Sequence, residues 1–289
     1  MSQIIVSKQI RPICESTIVS QNESEFVRDR RSAGDRIIKK NGQYWCEIRP
    51  GFFQSVHWLA RMPASSVIRP KLFCWGYRAT LAEEDTKLAN GSMPVNLLKD
   101  ISQYNIEYLC RRSRRALLKS FKLVTVVELT GPELLIAEGY KVFSSAWART
   151  KYGPKLTKNA YEVSIRFPYT TKSIILAGLI DGKLGGYLEG HAIGKTAYFQ
   201  KLVFATEYLS TQIGSVLVHN FVQICRRSKD IQEVVYGQHS REDLNLTEFK
   251  ERMGFPVVHI PAIVCINSFA EKILRKYKPH VYYRLTGHE

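Results

Sequence analysis

Residues 202–218 read LVFATEYLSTQIGSVLV, and this stretch decides the fold. It opens as a strand, passes through a short polar loop and enters a run in which Ile213, Val216, Leu217, Asn220, Phe221, Ile224 and Cys225 recur at helical spacing. Arg226 and Arg227 close the run, where the helix dipole favours cations. A helix is therefore predicted over 209–227, starting at the end of a strand. The first turn of such a helix carries backbone N–H groups with no partner in the helix, an arrangement that holds anions.

Upstream, residues 174–180, 185–193 and 196–204 read as three strands joined by the hairpin turns Asp181-Gly182 and Gly194-Lys195, an antiparallel meander. Before it come a β-branched strand over 123–129, the stop Gly131-Pro132, and a helix over 133–151 with Leu135, Ile136, Tyr140, Phe143 and Trp147 along one side. Downstream lie a strand at 233–237, a helix at 244–253 closed by Gly254, a strand at 256–266 and a basic terminal helix. From Val95 the spacing of Leu98, Ile101, Tyr104 or Asn105, Tyr108 and Leu109 predicts a helix that runs into RRSRRALLKSFK at 111–122. The turn-rich segment 83–94 marks a boundary, so residues 1–94 are read as a smaller α/β domain and 95–289 as the main one. In the smaller part, strands are expected at 44–48 and 71–81 and a short helix in GFFQSVHWLA, 51–60, where His57 reads as a core residue.

The order strand, helix, three-strand meander, helix, strand, helix, strand resembles that of the GNAT N-acyltransferase superfamily. Its members carry a strand ending in Val-x-Pro-Glu-Tyr-Arg-Gly-x-Gly-Ile-Gly. Here Phe204, Thr206, Glu207, Tyr208, Ile213 and Gly214 fall in register, while Leu209, Ser210 and Gln212 stand in place of the arginine and the first two glycines. The resemblance implies a mixed α/β fold with a central, mostly antiparallel sheet flanked by helices, and makes residues 1–94 readable as a degenerate GNAT-like half. It also implies acyl transfer from acyl-CoA to an amine-bearing acceptor. The coenzyme would lie against Leu202 and Phe204 and against the amides of Gln212, Ile213, Gly214 and Ser215. Ser210 and Gln212 crowd that approach, and Leu209 supplies no cation.

Asn245–Phe255, NLTEFKERMGF, is similar to the GNAT segment that places a tyrosine beside the departing thiolate; here Lys250 follows Phe249. A lysine at this point, and the tract with Arg111, Arg112, Arg114 and Arg115, resemble the Fem-type (FemABX) branch. That resemblance implies transfer of an amino acid from charged tRNA, with the arginines on the nucleic acid. A third reading is a GNAT-like fold that binds without catalysing, because folds outlive their chemistry.

Acyl transfer to an amine needs a held ester or thioester, a neutral amine and stabilisation of the developing oxyanion. Glu189 and His191 alternate onto one face of the middle meander strand and are candidate bases, or else a solvent-facing polar stripe. Lys250 is a candidate proton donor or phosphate contact, or a solvated helix lysine. Tyr236 lines the cleft between strands or belongs to the core.

Lys and Arg outnumber Asp and Glu by 42 to 26, a balance that attracts anionic partners such as nucleic acid, membrane surfaces and phosphorylated cofactors. The six cysteines are widely spaced, with no CxxC pair, and read as reduced residues; no metal is expected. No apolar run reaches the roughly 20 residues of a membrane span. The opening MSQIIVSKQIRP lacks the pattern of a secretory signal, so a cytoplasmic address is expected.

Overall fold

The computed structural model describes residues 9–288; residues 1–8, where most of the sequence read for a secretory signal falls, lie outside the described residues. In chain order the elements are β1 (Ile10–Pro12), β2 (Ser20–Gln21), α1 (Glu23–Ser32), β3 (Ile37–Lys40), β4 (Gln43–Arg49), β5 (Phe52–Ser55), β6 (Gly76–Thr80) and β7 (Gly91–Leu98). There follow α2 (Arg111–Ser120), β8 (Thr125–Leu129), a π-helical turn (Leu135–Gly139), α3 (Tyr140–Thr150), α4 (Lys158–Arg166), β9 (Ile174–Ile180), β10 (Lys183–Ile193) and β11 (Thr196–Phe204). A 3-10 turn (Thr206–Thr211) leads into α5 (Ile213–Arg227), and β12 (Glu233–Gln238), α6 (Leu244–Arg252), β13 (Val257–Ile266), α7 (Ser268–Tyr277) and α8 (Pro279–Thr286) complete the chain.

These elements form two compact units between which the chain passes several times. One comprises the chain through Gln21, Leu98–Val235 and Arg252–Gly254; the other comprises Asn22–Leu97, Tyr236–Glu251 and Phe255–Glu289. This differs from a single division at residue 94: the early segment forms a unit together with the end of the chain, whose β13 pairs antiparallel with both β6 and β7.

The first unit is built on strands in the order β1-β8-β9-β10-β11-β12. The meander is as the turns predict, and Asp181 and Gly182 both have positive φ, at 49° and 75°, as a tight hairpin requires. α5 buries Ile213, Val216, Leu217, Phe221, Ile224 and Cys225 completely, and it packs on β9, β10 and β11. Glycines make this approach close. A Cβ at Gly190 would lie 2.3 Å from the Phe221 ring, and one at Gly178 would lie 2.8 Å from Ile213 Cδ1. A second cluster gathers Leu135, Val142, Tyr161, Ile165, Ile175, Ala177 and Tyr187 from the π turn, α3, α4, β9 and β10. Gly139, at the end of the π turn, gives room to the Tyr161 hydroxyl: a Cβ there would meet it at 2.1 Å. The single helix predicted over 133–151 is thus a π turn followed by α3.

The second unit carries strands in the order β7-β13-β6-β5-β4-β3, with Trp45, Phe53, Met62, Cys74 and Ala79 as its buried cluster. Asn22 opens α1 with a reciprocal capping box to Glu25. The helix expected in 51–60 is instead the strand β5, buried at all four residues and paired with β4 and β6. A short apolar run covered on both faces has no period that separates strand from helix. The helix expected from Val95 is also replaced. β7 runs to Leu98, and beyond it the side chains of Asp100 and Asn105 accept from the N–H groups of Ser102 and Tyr108, at 2.9 and 3.0 Å. Such local bonds compete with helix. Ile101, Tyr104 and Leu109 are nonetheless buried, from irregular backbone. His57 is partly buried, its Nε2 3.6 Å from Glu23 Oε1, and burial pushes its imidazole down to about 4.

Candidate functional site

In the first unit, β11 pairs with β12 only through Thr196, Ala197 and Tyr198, opposite Glu233, Val234 and Val235. Beyond Tyr198 this pairing stops while β11 continues to Phe204, so Leu202 and Phe204 lie on the stretch that has parted from β12.

The loop that follows is closed rather than open. Gln212 sits at φ +56°, left-handed backbone, and its N–H donates to Leu209 O at 3.2 Å. The N–H of Ser215 donates back to Gln212 O at 2.9 Å. Two of the four amides assigned to a phosphate cradle are thus held within the loop. Gly214 serves packing, since a Cβ there would meet the Phe204 ring at 3.0 Å, and Ile213 is fully buried. A cation reaches the loop from α3: the Arg149 guanidinium lies 4.8 Å from the centre of the Phe204 ring and donates to Phe204 O at 3.2 Å and Thr206 Oγ1 at 3.0 Å. Nothing in the loop motif announces Arg149, which lies more than fifty residues upstream.

Glu189 and His191 do share a face of β10, but that face is buried, at 8% and 9% exposure, not solvent-facing. Glu189 lies 3.4 Å from Lys201 Nζ, and His191 stacks on Tyr198 with ring centres 5.4 Å apart. Tyr187, two residues earlier, is buried with them. Burial pushes the Tyr161 hydroxyl up to about 12, and burial together with Tyr161 and Glu189 raises Tyr187. Tyr169 is raised by burial and by Glu133, Tyr161 and Glu189. These tyrosines therefore remain protonated hydroxyls at neutral pH.

Arg111, Arg112, Arg114 and Arg115 fall in the first turns of α2, which has no side-chain cap and no acid in its first turn. Arg114 is paired with Glu107, while Arg111, Arg112 and Arg115 are exposed. Cations at the positive end of a helix are unfavourable by themselves and are relieved by a polyanion.

Lys250 and Tyr236 lie in the second unit and are brought together, with the ammonium 5.2 Å from the ring centre. Lys250 is not a solvated helix lysine; it is 6% exposed. Nζ donates to Asn96 Oδ1 at 3.1 Å and to Gln238 O at 3.5 Å. The amide of Asn96 is oriented by donating its Nδ2 to Phe255 O at 3.1 Å. Burial brings the lysine down to about 8, against a smaller opposing effect of Asp243. Tyr236 packs on Phe249 and Phe255, and burial raises its hydroxyl. Asn96 was hidden from sequence reasoning because its partner is more than 150 residues away. The same unit has a cavity of about 280 Å³ lined by Arg241, Arg275, Pro279, His280 and Tyr282. Among the described residues, no group of side chains suits a metal ion, and no helix is long and apolar enough to cross a membrane.

No family model matches the sequence, and no curated protein matches it. Solved structures do. The C-terminal domain (DUF2156) of a protein named as a lysylphosphatidylglycerol synthetase from Agrobacterium fabrum is 11% identical, with a TM-score of 0.60 over 92% of this chain and 94% of that one. FemX is 7% identical, with a TM-score of 0.61 over 91% of this chain and 96% of that one. At these identities the likeness is one of fold, and it spans nearly the whole of each chain. The chain shares its mixed α/β fold with these two structures.

Proposed function

We propose that the protein transfers an aminoacyl group from charged tRNA to an amine, with Lys250 as the proton donor. The observation that carries this reading is the buried ammonium of Lys250, held by Asn96 Oδ1 and Gln238 O and lowered to about 8. In the reaction the acceptor amine forms a bond from nitrogen to the ester carbonyl and gives up a proton, the ester C–O bond breaks, and the departing oxygen takes a proton from Lys250, which the proton released by the amine restores. A donor with a pKa near ambient pH suits that last step. Asn96 and Gln238 engage two of the three N–H bonds of the ammonium and fix the direction of the third. The exposed arginines of α2 suit a phosphate-rich donor.

Acyl-CoA is the second reading, favoured by the parting of β11 from β12. Against it stand the amides of Gln212 and Ser215, already bonded within the loop.

The test is discharge of labelled aminoacyl-tRNA onto an amine, run beside thermal shift with acetyl-CoA and longer acyl-CoAs. The expected outcome is discharge by the wild type, a loss of about a hundredfold in Lys250→Met with tRNA binding kept, and no stabilisation by acyl-CoA. Stabilisation by acyl-CoA without any tRNA discharge selects the second reading. Equal discharge by Lys250→Met removes the lysine from the chemistry.

A further inference from the structure

α7 is a helix with no buried residue. Phe269, Ile273 and Tyr277 follow one another at intervals of four, so they form one stripe, and they are 73%, 41% and 64% exposed. Lys272 and Lys276 run beside that stripe, and Lys278 follows its end. The one acid of the helix, Glu271, is on another face, tied to Arg275 and to the Tyr282 hydroxyl at 2.9 and 3.0 Å.

A second exposed apolar element reaches the same end of the sheet. Leu72 and Phe73 are 72% and 93% exposed, at the corners of a turn closed by the bond from Cys74 N–H to Lys71 O at 3.3 Å. The turn is anchored by Arg69, which donates to Cys74 O at 3.1 Å. The chain then enters β6, whose Gly76 and Tyr77 pair with Ile266 and Cys265 at the end of β13. Asn267, the cap of α7, donates its N–H to Trp75 O at 2.7 Å. The Leu72-Phe73 tip and the start of α7 are therefore set side by side by sheet register and by a backbone hydrogen bond.

We infer that this surface, the Leu72-Phe73 tip with the Phe269, Ile273 and Tyr277 stripe and its lysines, seats the protein on an anionic phospholipid bilayer. Aromatic and aliphatic side chains bordered by lysines are the composition that settles at the boundary of headgroups and acyl chains, with the cations drawn to the negative surface. A nucleic acid makes use of the lysines but leaves Leu72 and Ile273 in water. A second copy of the chain brings the same cations face to face, which charge repulsion opposes. The surface shares no residue with the environment of Lys250, so the inference stands or falls apart from the transfer reaction.

The experiment is co-sedimentation of the full chain with phosphatidylcholine vesicles, with and without phosphatidylglycerol. It compares the wild type, Leu72→Ser/Phe73→Ser, Phe269→Ser and Lys272→Gln/Lys276→Gln. All the substituted side chains are exposed, and thermal unfolding verifies that each variant is folded. The expected result is binding to the phosphatidylglycerol vesicles, weakened about tenfold or more by Leu72→Ser/Phe73→Ser and by Phe269→Ser, and weakened both by the lysine substitutions and by salt. Three outcomes overturn the inference: no binding to anionic vesicles, binding undiminished in Leu72→Ser/Phe73→Ser, or self-association of the wild type that the same substitutions abolish.

Discussion

Lys250 links the site to folding stability through its proton. Its pKa is about 8 in the folded chain against an ordinary 10.5. Between these values the folded chain binds fewer protons than the unfolded chain, so stability rises with pH. The penalty of the buried ammonium is fully present below about 8 and is relieved as pH climbs towards 10.5. Integrating one such site gives a gain of about 2 kcal/mol between about pH 7 and about pH 9.5. Lys250→Met keeps the apolar stem and removes the titration. It also strips Asn96 Oδ1 and Gln238 O of their donor, at a cost of about 1–3 kcal/mol each, which does not depend on pH. The variant's starting stability can therefore move either way, but the slope that Lys250 contributes disappears. Urea unfolding followed by tryptophan emission reads the unit concerned, because Trp45, Trp58 and Trp75 lie in it and only Trp147 lies in the other. The quantity to plot is the wild-type minus variant difference, in which the buried tyrosines common to both chains cancel. Curves parallel to within about 0.5 kcal/mol across that range would refute the assignment of a depressed lysine.

Gly190→Ala forces a methyl group to within 2.3 Å of the Phe221 ring in a core packed on both sides, and is expected to cost about 1–3 kcal/mol in denaturant unfolding; an unchanged midpoint would contradict the packing of α5 on β10. Gln212→Gly relieves a left-handed residue and is expected to raise stability by roughly 0.5–1 kcal/mol. The same substitution is expected to leave acetyl-CoA without effect in thermal shift, since the amides of residues 212 and 215 stay bonded within the loop. Restored coenzyme binding would show that side-chain crowding alone had closed it.

The first unit is legible where period and turn chemistry agree. β9 and β11 begin and end where the alternation and the Asp181-Gly182 and Gly194-Lys195 turns place them, and α5 follows its apolar stripe. The second unit is obscure because its determinants are non-local. β5 is a strand through pairing with β4 and β6, and β7 through pairing with β13, so the local apolar spacing at 51–60 and 95–109 misleads. The candidate site divides in the same way. The loop frame and Lys250 are visible as residue types, whereas the burial of Lys250, Glu189 and His191 is a tertiary property. Asn96, Gln238 and Arg149 become relevant only through contacts that spacing along the chain cannot express.

The passage of the chain between the two units has a kinetic side. Leu98–Val235 is an insertion into the second unit, whose β7 precedes it and whose α6, β13, α7 and α8 follow it. As a flexible loop, a segment of that length would cost on the order of 4 kcal/mol in closure entropy before β7 could meet β13. Folded, it is not a loop. The N–H of Ile101 donates to Gln232 O at 3.1 Å, so the two ends of the insertion are already pinned to each other. The first unit therefore serves as a staple for the second, turning pairings that are remote along the chain into near neighbours. It also means that the chain has no single point at which it can be cut to release a complete half.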